Sequence, residues 1–140
     1  MIKGIIFEGV DGSGKTTLIK YLNKKSDYAF FCVDRMGGSG YVYDGITGRR
    51  TRVKDIFKFE KKLAENFILV YCYAPKKVLL ERLREKKHDI SRSELAHHLK
   101  TFDYYLTYVT PLRYIKIKTT DDINKSYDRI LKFAGDEHEK

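Results

Sequence analysis

The sequence has few cysteines and no long apolar run, and both absences narrow the class of protein. Its 140 residues include two cysteines, Cys32 and Cys72, which lie far apart within short apolar segments. Two separated cysteines form neither a Cys-x-x-Cys redox pair nor a zinc site, so we expect both to be small buried residues in a reducing compartment. No run approaches the roughly 20 apolar residues of a membrane span.

Several other features are missing, and their absence favours one ordinary domain. The segment "MIKGIIFEGV" begins like a strand, and no small-residue cleavage site of a signal peptide follows it. Internal repeats, low-complexity tracts and Pro/Gly-rich linkers are absent as well. Apolar residues make up 42% of the chain and charged residues 34%, which is typical of a globular protein. We expect a single domain over residues 1–140, located in the cytoplasm and without a membrane partner.

The net charge of +9 favours anionic ligands. A basic surface around a site for small phosphate compounds would explain this charge. Binding of nucleic acid is the more specific alternative explanation. The sequence contains no long Lys/Arg block and no recognisable nucleic-acid-binding motif. We therefore expect small phosphate compounds as partners and keep nucleic acid as the less favoured alternative.

Apolar runs alternate with amphipathic segments along the chain, which predicts an α/β fold. Strands are predicted at Ile2–Phe7, Tyr28–Val33, Phe67–Tyr73 and Arg113–Lys118. Helices are predicted at Lys15–Lys25, Arg52–Asn66, Lys76–Lys87, Ser93–Leu106 and Thr119–Gly135. The first three strands are expected to be buried and the fourth to lie near a sheet edge. This order predicts a parallel sheet of about four strands with helices on both faces.

Some segments and side chains need separate interpretations. The stretch Asp34–Arg50 contains five glycines without a period, so it is predicted to be largely loop. Ser91 or Ser93 is expected to cap the fourth helix, and Thr119 is expected to begin a capping-box-like start of the last one. Adjacent histidines on a helix point in different directions, so His97 and His98 are interpreted as surface residues. Three tyrosines recur along one helix and are interpreted as packing residues, namely Tyr104, Tyr105 and Tyr108.

The most specific motif follows the first predicted strand. The segment Gly9–Thr16 reads GVDGSGKT and matches G-x-x-x-x-G-K-[ST] in full, between a strand and a helix. Its glycines let backbone N–H groups curl towards phosphate oxygens, and the helix N-terminus adds partial positive charge. Lys15 can reach the β- and γ-phosphates of ATP, and the Thr16 hydroxyl can hold Mg²⁺. The predicted nucleotide-binding residues are Gly9, Asp11, Gly12, Ser13, Gly14, Lys15, Thr16 and Thr17.

The wider string "FEGVDGSGKTTL" resembles the P-loop of thymidylate kinases and related nucleoside monophosphate kinases. Three later segments resemble the family in the same order, at Cys32–Gly45, Val70–Asp89 and Tyr114–Ile130. The family is longer, and its stretch between the P-loop helix and the Asp-Arg strand carries an arginine that grips the acceptor phosphate. Here only "SDYAFF" bridges this gap, so the sequence resembles a shortened member with an intact donor half and a reduced acceptor half.

The resemblance implies roles for several polar residues. Asp34 would follow a strand at the ligand-binding end of the sheet, where it could hold Mg²⁺ or orient the acceptor. Arg35 could clamp the acceptor phosphate in a bidentate manner. Asp11 would contact the acceptor sugar, and Ser39 and Tyr43 would line the acceptor pocket.

A catalytic arginine is expected from a lid-like segment at about residues 82–92. Some family members carry this arginine directly after the P-loop aspartate, where this chain has Gly12. The sequence therefore resembles the branch in which the lid supplies the arginine. It leaves three candidates open, which are Arg82, Arg84 and Arg92.

The implied function is ATP- and Mg²⁺-dependent phosphoryl transfer to a (deoxy)nucleoside monophosphate. One alternative is a P-loop kinase with another acceptor, such as a nucleoside or a polynucleotide 5′ end. The other is a non-catalytic nucleotide-binding module. The sequence does not fix the oligomeric state, and a homodimer is one option.

Overall fold

The computed structural model describes residues 1–44, 53–87 and 90–135 of the chain. Strands and helices alternate along these residues. The strands are β1 (Gly4–Glu8), β2 (Phe31–Asp34), β3 (Phe67–Tyr73) and β4 (Tyr114–Lys118). The helices are α1 (Lys15–Ser26), α2 (Gly37–Asp44), α3 (Val53–Leu63), α4 (Lys76–Glu85), α5 (Arg92–Tyr104) and α6 (Ile123–Gly135). A π-helical turn, Tyr105–Val109, continues α5.

The four strands form one sheet in the order β2-β1-β3-β4, and every neighbouring pair is parallel. The central strands β1 and β3 are buried along most of their length because both of their faces are covered. The predicted α/β fold with a four-stranded parallel sheet is confirmed, and β4 lies at a sheet edge as expected.

Alternate side chains of the central strands enter two separate hydrophobic clusters. Ile6 and Leu69 belong to a cluster with buried residues of α2, α3, α4 and α5. Ile5, Phe7 and Ile68 belong to a second cluster with buried residues of α1 and α6. Because successive side chains of a strand point to opposite faces, the helices cover both faces of the sheet, as predicted.

The second strand differs from its prediction in both position and burial. It begins at Phe31 rather than Tyr28, because Asp27 and Tyr28 adopt left-handed conformations that end α1. The Tyr28 amide donates to the Asn23 carbonyl at 2.8 Å, which uses this residue in the helix C-terminus. The strand lies at the other sheet edge, where Phe31 is 69% exposed, so the expectation of a buried strand was wrong.

The predicted loop after β2 contains a helix. Residues Gly37–Asp44 form α2, while residues 45–50 lie outside the described part of the chain. Three glycines in eight residues disfavour a helix by intrinsic propensity. The helix forms nevertheless because Val42 and Ser39 are buried against the rest of the protein. The glycines also allow close approach, since a Cβ at Gly38 would lie 2.8 Å from the Tyr105 ring.

Two cap predictions have different outcomes. Ser91 caps α5 by accepting a hydrogen bond from the Glu94 amide at 3.1 Å, which confirms one of the two expected caps. The last helix begins at Ile123, and Asp122 accepts from the Asn124 amide at 2.7 Å. Thr119 therefore does not begin this helix, and the capping-box prediction for it was wrong.

The histidine and tyrosine interpretations hold only in part. His97 is exposed, but His98 is buried against the Tyr43 ring, and burial lowers its pKa. Tyr105 is fully buried on the face of the helix that also buries Phe102 and Val109, whereas Tyr104 and Tyr108, four residues apart, are exposed on another face.

The two cysteines differ in how deeply they are buried. Both cysteines are free thiols, with Cys72 buried and Cys32 only half-buried. Cys32 is less buried than expected because it lies on the edge strand. None of the helices in the described ranges is both long and apolar enough to cross a membrane.

The contrast between the edge and central strands predicts different costs of truncation. Ile68→Ala should destabilise the protein by about 2–5 kcal/mol, because it removes a fully buried side chain from β3. Phe31→Ala should cost less than about 1 kcal/mol, because its ring is mostly in solvent. Urea unfolding of both variants measures the difference, and equal costs would contradict the assignment of β2 as an exposed edge.

Candidate functional site

The P-loop connects the end of β1 to the first residue of α1. Gly12 and Gly14 have φ angles of 79° and 93°, which are left-handed values that other residues rarely adopt. A Cβ at Gly14 would also lie 2.8 Å from the Cβ of Thr119, so a side chain has no room there. Gly14 precedes α1 without a side-chain cap in the described structure, which leaves the first-turn amides of this helix facing the loop.

Lys15 is buried beneath the loop that precedes it. Its ammonium group donates to the carbonyls of Gly9 at 2.8 Å and Val10 at 3.2 Å, and to the Ser13 hydroxyl at 3.4 Å. Burial lowers the pKa of Lys15, and the nearby Arg35 lowers it further. The site therefore concentrates positive charge, which favours an anionic ligand.

Two side chains from distant segments hold the other half of the loop. The Thr119 hydroxyl, directly after β4, donates to the Ser13 carbonyl at 2.5 Å. Arg82 of α4 donates to the Gly12 carbonyl at 2.8 Å. The Ser13 amide, which belongs to the same peptide unit as the Gly12 carbonyl, donates to the Val10 carbonyl at 3.1 Å. Side-chain and backbone hydrogen bonds therefore fix the conformation of the P-loop together.

A cavity of about 400 Å³ opens above the P-loop. It brings together the loop, the end of β2, the C-terminal turn of α4 and the segment after β4. Its lining includes these predicted site residues: Asp11, Gly12, Ser13, Gly14, Lys15, Thr16, Thr17, Asp34, Arg35 and Arg82. Gly9 lies below the cavity, where its carbonyl binds Lys15.

Arg35 has an unusual backbone conformation at the edge of this cavity. Its φ angle is 72°, a left-handed value that is uncommon for a residue with a side chain. Its guanidinium forms an ion pair with Asp11 of the P-loop and lies 5.5 Å from the centre of the Tyr43 ring. Asp34, the preceding residue, is exposed on the same cavity. The end of β2 thus brings one carboxylate and one cation to the P-loop.

The two residues expected to line the acceptor pocket lie outside the cavity lining. Ser39 is buried, and its hydroxyl donates to the carboxylate of Glu8 at 2.6 Å. Tyr43 packs its ring between Arg35 and His98. Tyr43 therefore contacts the site through Arg35. Ser39 instead binds Glu8 and does not line the cavity.

The three lid arginines occupy different positions. Arg82 lines the cavity and binds the P-loop, as described above. Arg84 is exposed on α4, and Arg92 is exposed at the first residue of α5. Neither of these two is part of the cavity lining, so the geometry favours Arg82 among the three candidates.

Two functional residues escaped the sequence reasoning. Glu8 is the last residue of β1 and is fully buried, with its carboxylate at the N-terminus of α2. Thr119 binds the P-loop instead of starting a helix. The only signal for Glu8 was a charged residue inside an apolar strand, and the signal for Thr119 was its place directly after the last strand.

The donor atoms suit magnesium better than a metal held by protein ligands alone. The Thr16 hydroxyl and the Asp34 carboxylate both line the cavity. Among residues 1–44, 53–87 and 90–135, no group of three or more His, Cys, Asp or Glu side chains could hold a metal ion. Mg²⁺ commonly uses one or two protein oxygens together with water and substrate phosphates, and these two oxygens fit that pattern.

The chain combines a complete P-loop motif with a four-stranded parallel sheet that is covered by helices on both faces. No family model matches the sequence. A probable thymidylate kinase of Methanococcus aeolicus is 33% identical over 86 residues, which cover 52% of this chain and 44% of that protein. The chain thus spans less than half the length of this curated relative. The similarity agrees with the resemblance to P-loop kinases found in the sequence.

Solved structures show the same fold. The YorR protein of Bacillus subtilis superimposes with a TM-score of 0.81 at 19% identity, covering 97% of this chain and 98% of that chain. A deoxyadenosine kinase of M. mycoides has a TM-score of 0.60 at 12% identity, with coverage of 94% and 98%. These similarities confirm the fold of the whole described chain.

The hydrogen bond from Thr119 predicts a specific loss of stability. Thr119→Val keeps the shape of the side chain but leaves the Ser13 carbonyl without this donor, so unfolding free energy should fall by about 1–3 kcal/mol. The matched control is Thr120→Val, which alters an exposed neighbour and should change it by less than about 0.5 kcal/mol. Urea unfolding compares the two, and equal effects would contradict the role given to Thr119.

Proposed function

We propose that this protein transfers the γ-phosphoryl group of ATP to a (deoxy)nucleoside monophosphate. The observation that carries the proposal is the shared cavity, in which a phosphate-binding loop faces Asp34 and Arg35 at the end of the neighbouring strand. Phosphoryl transfer needs two phosphate groups held close together against their mutual repulsion. A loop of amides on one side and an arginine on the other meet this requirement.

The donor would bind along the P-loop. Its phosphates would accept hydrogen bonds from amides of the loop and from the N-terminus of α1. Lys15 would exchange the carbonyls of Gly9 and Val10 for phosphate oxygens, since its ammonium group already lies at the loop. Mg²⁺ would be held by the Thr16 hydroxyl and Asp34, and it would neutralise charge on the transferred group.

The acceptor phosphate would bind at Arg35. A planar guanidinium can donate two parallel hydrogen bonds to a phosphate, which fixes both distance and orientation. Asp11 holds this guanidinium at the cavity edge, and its carboxylate is also placed to accept from a sugar hydroxyl. Arg82 would stabilise the charge that develops during transfer, because it reaches the P-loop from the lid-like side.

The names of the structural neighbours are compatible with this proposal. The Bacillus protein was solved in complex with phosphorylated GDP. The M. mycoides deoxyadenosine kinase was solved with the products dCMP and dCDP. Both structures therefore contain bound nucleotides. A single domain over residues 1–140 and a cytoplasmic location belong to the same proposal.

A polynucleotide 5′ end is the second candidate acceptor. The observation that favours it is a groove between α3 and the π-helical turn, apart from the P-loop cavity. Its lining combines lysines with exposed aromatic rings, namely Lys54, Lys58, Lys61, Lys62, Phe57, Phe59 and Tyr108. Lysines and accessible rings suit a single-stranded polyanion, and binding would weaken steeply with salt. A homodimer stays a prediction.

The main test is a turnover assay with a panel of acceptors. The protein is incubated with Mg-ATP and nucleoside monophosphates, nucleosides or 5′-hydroxyl oligonucleotides, and ADP release is followed. We expect the highest rate with a nucleoside monophosphate and a loss of at least about 100-fold in Lys15→Ala. A preference for oligonucleotides would favour the second candidate. ATP binding without turnover on any acceptor would contradict both and favour a non-catalytic module.

The acceptor role of Arg35 predicts a split between kinetic constants. Arg35→Ala should raise the KM for the acceptor by about 10-fold or more, while the KM for ATP changes by less than about 2-fold. Arg129→Ala is the matched control, because this arginine is exposed on α6 away from the cavity lining. Steady-state kinetics with each substrate varied in turn gives both constants. An equal rise in both KM values would argue against a clamp on the acceptor.

A further inference from the structure

The carboxylate of Glu8 occupies a buried position at the N-terminus of α2. Its Oε2 atom accepts hydrogen bonds from the amides of Met36 and Ser39, each at 3.0 Å. Its Oε1 atom accepts from the Ser39 hydroxyl at 2.6 Å. Glu8 therefore caps α2 from another element, in the way that a side chain of the preceding loop usually does.

This cap carries a free-energy cost, because it requires a carboxylate to be buried. Glu8 has no exposed surface, and burial raises its pKa, while the hydrogen bonds from Ser39 and Met36 lower it. A buried carboxylate loses its hydration and must recover the loss from its partners. The N-terminus of a helix is favourable for an anion, but a short polar side chain within the loop would serve the same purpose. A role besides stability would account for this arrangement.

One partner of Glu8 directly adjoins the arginine of the cavity. The Met36 amide, bound to Glu8, directly follows Arg35 in the chain. The Arg35 amide itself donates to the Phe7 carbonyl at 2.9 Å. Residues at the end of β1 thus anchor the peptide units on both sides of Arg35. Between these anchors Arg35 keeps its left-handed φ of 72°, from which its guanidinium reaches Asp11.

The other end of α2 supports the same side chain. Tyr43, in the last turn of this helix, places its ring 5.5 Å from the Arg35 guanidinium. Because Glu8 fixes the first turn of α2 through Ser39, it also fixes where this ring lies. Arg35 is therefore held through its backbone at one end of the helix and through its guanidinium at the other.

We infer that Glu8 is a positioning residue that holds Arg35 in its left-handed conformation and thereby sets the affinity for the acceptor phosphate. The inference rests on the proposed function, in which Arg35 binds that phosphate. Glu8 is not part of the cavity lining, and its hydrogen bonds run to the N-terminus of α2. Its loss should affect the acceptor much more than ATP, since the P-loop carbonyls are held by Lys15, Arg82 and Thr119.

A second buried carboxylate provides a matched control. Glu60 of α3 is also fully buried, and it accepts a hydrogen bond from the Tyr105 hydroxyl. It packs against α2 as well, since a Cβ at Gly37 would lie 2.6 Å from its Oε2 atom. Its hydrogen bond runs to Tyr105 and not to the peptide units around Arg35. Glu60→Gln therefore changes a buried carboxyl group beside the same helix and leaves the three hydrogen bonds of Glu8 in place.

The test is a double-mutant cycle between Glu8→Gln and Arg35→Ala. Alone, Glu8→Gln should raise the acceptor KM about 10-fold and the ATP KM less than about 2-fold. In the Arg35→Ala background the same change should alter the acceptor KM by less than about 2-fold, because the group it positions is gone. Glu60→Gln should leave both KM values within about 2-fold of the unmodified protein, even where it lowers the unfolding temperature.

Several results would overturn the inference. An unchanged acceptor KM in Glu8→Gln would do so, and so would a full 10-fold effect that persists without Arg35. If Glu8→Gln does not fold, Ser39→Ala replaces it, because this change removes only the hydroxyl bond to Glu8. It should give a smaller rise, of about 3-fold, again confined to the acceptor KM. An equal change in both KM values would contradict the positioning role.

A measurement without turnover separates this inference from the proposed function. Absence of activity in the unmodified protein would count against the proposed function alone. Amide hydrogen exchange then tests the link: Glu8→Gln, but not Glu60→Gln, should accelerate exchange at Met36 and Ser39 by about 10-fold. Unchanged exchange at both amides would show that Glu8 does not hold the start of α2, and the inference would fail on that result by itself.

Discussion

Side-chain donors bind the carbonyls of the P-loop, and the geometry of the whole cavity depends on these hydrogen bonds. Lys15 binds the first part of the loop, while Arg82 and Thr119 bind the second part from positions 70 and 106 residues away. Each peptide unit that is fixed by its carbonyl has a fixed direction for its amide. The loop can therefore be preorganised for phosphate only after α4 and β4 have docked against it. The local motif indicates the class of ligand, whereas tertiary contacts determine the conformation of the loop.

Strand β1 places both halves of the site. Its register pairs Phe7 with Asp34 on one side and with Val70 on the other, so the strand ends meet at one edge of the sheet. The P-loop continues β1 directly, and Glu8 reaches across to the segment that carries Arg35. A parallel sheet makes this possible because the carboxyl ends of its strands lie side by side. One strand thus leads directly into the P-loop and reaches the segment of Arg35 through its last side chain.

The sequence predicts the parts of this structure that depend on local pattern. The P-loop and the central strands could be predicted because residue spacing identifies the loop and apolar runs identify the strands. The helix Gly37–Asp44 could not, since its glycines oppose a helix and only the contacts of Val42 and Ser39 favour it. The burial of His98 and the P-loop contact of Thr119 were missed for the same reason. These features exist only when segments far apart in the chain are brought together, and the periodicity of apolar residues in the sequence does not predict such contacts.

The short connection between α1 and β2 makes the support of Arg35 more important. In thymidylate kinases, which the sequence resembles, the stretch before the Asp-Arg pair carries a further arginine for the acceptor phosphate. Here residues 27–30 connect the helix to the strand, so under the proposed function Arg35 carries that contact from this side. A long side chain loses conformational entropy when it binds, and the loss is smaller when it is already held. The left-handed backbone of Arg35 and the burial of Glu8 both lower the stability of the folded protein, and both restrict the Arg35 side chain. The fold thus gives up stability at the position where a single cation must be placed in advance.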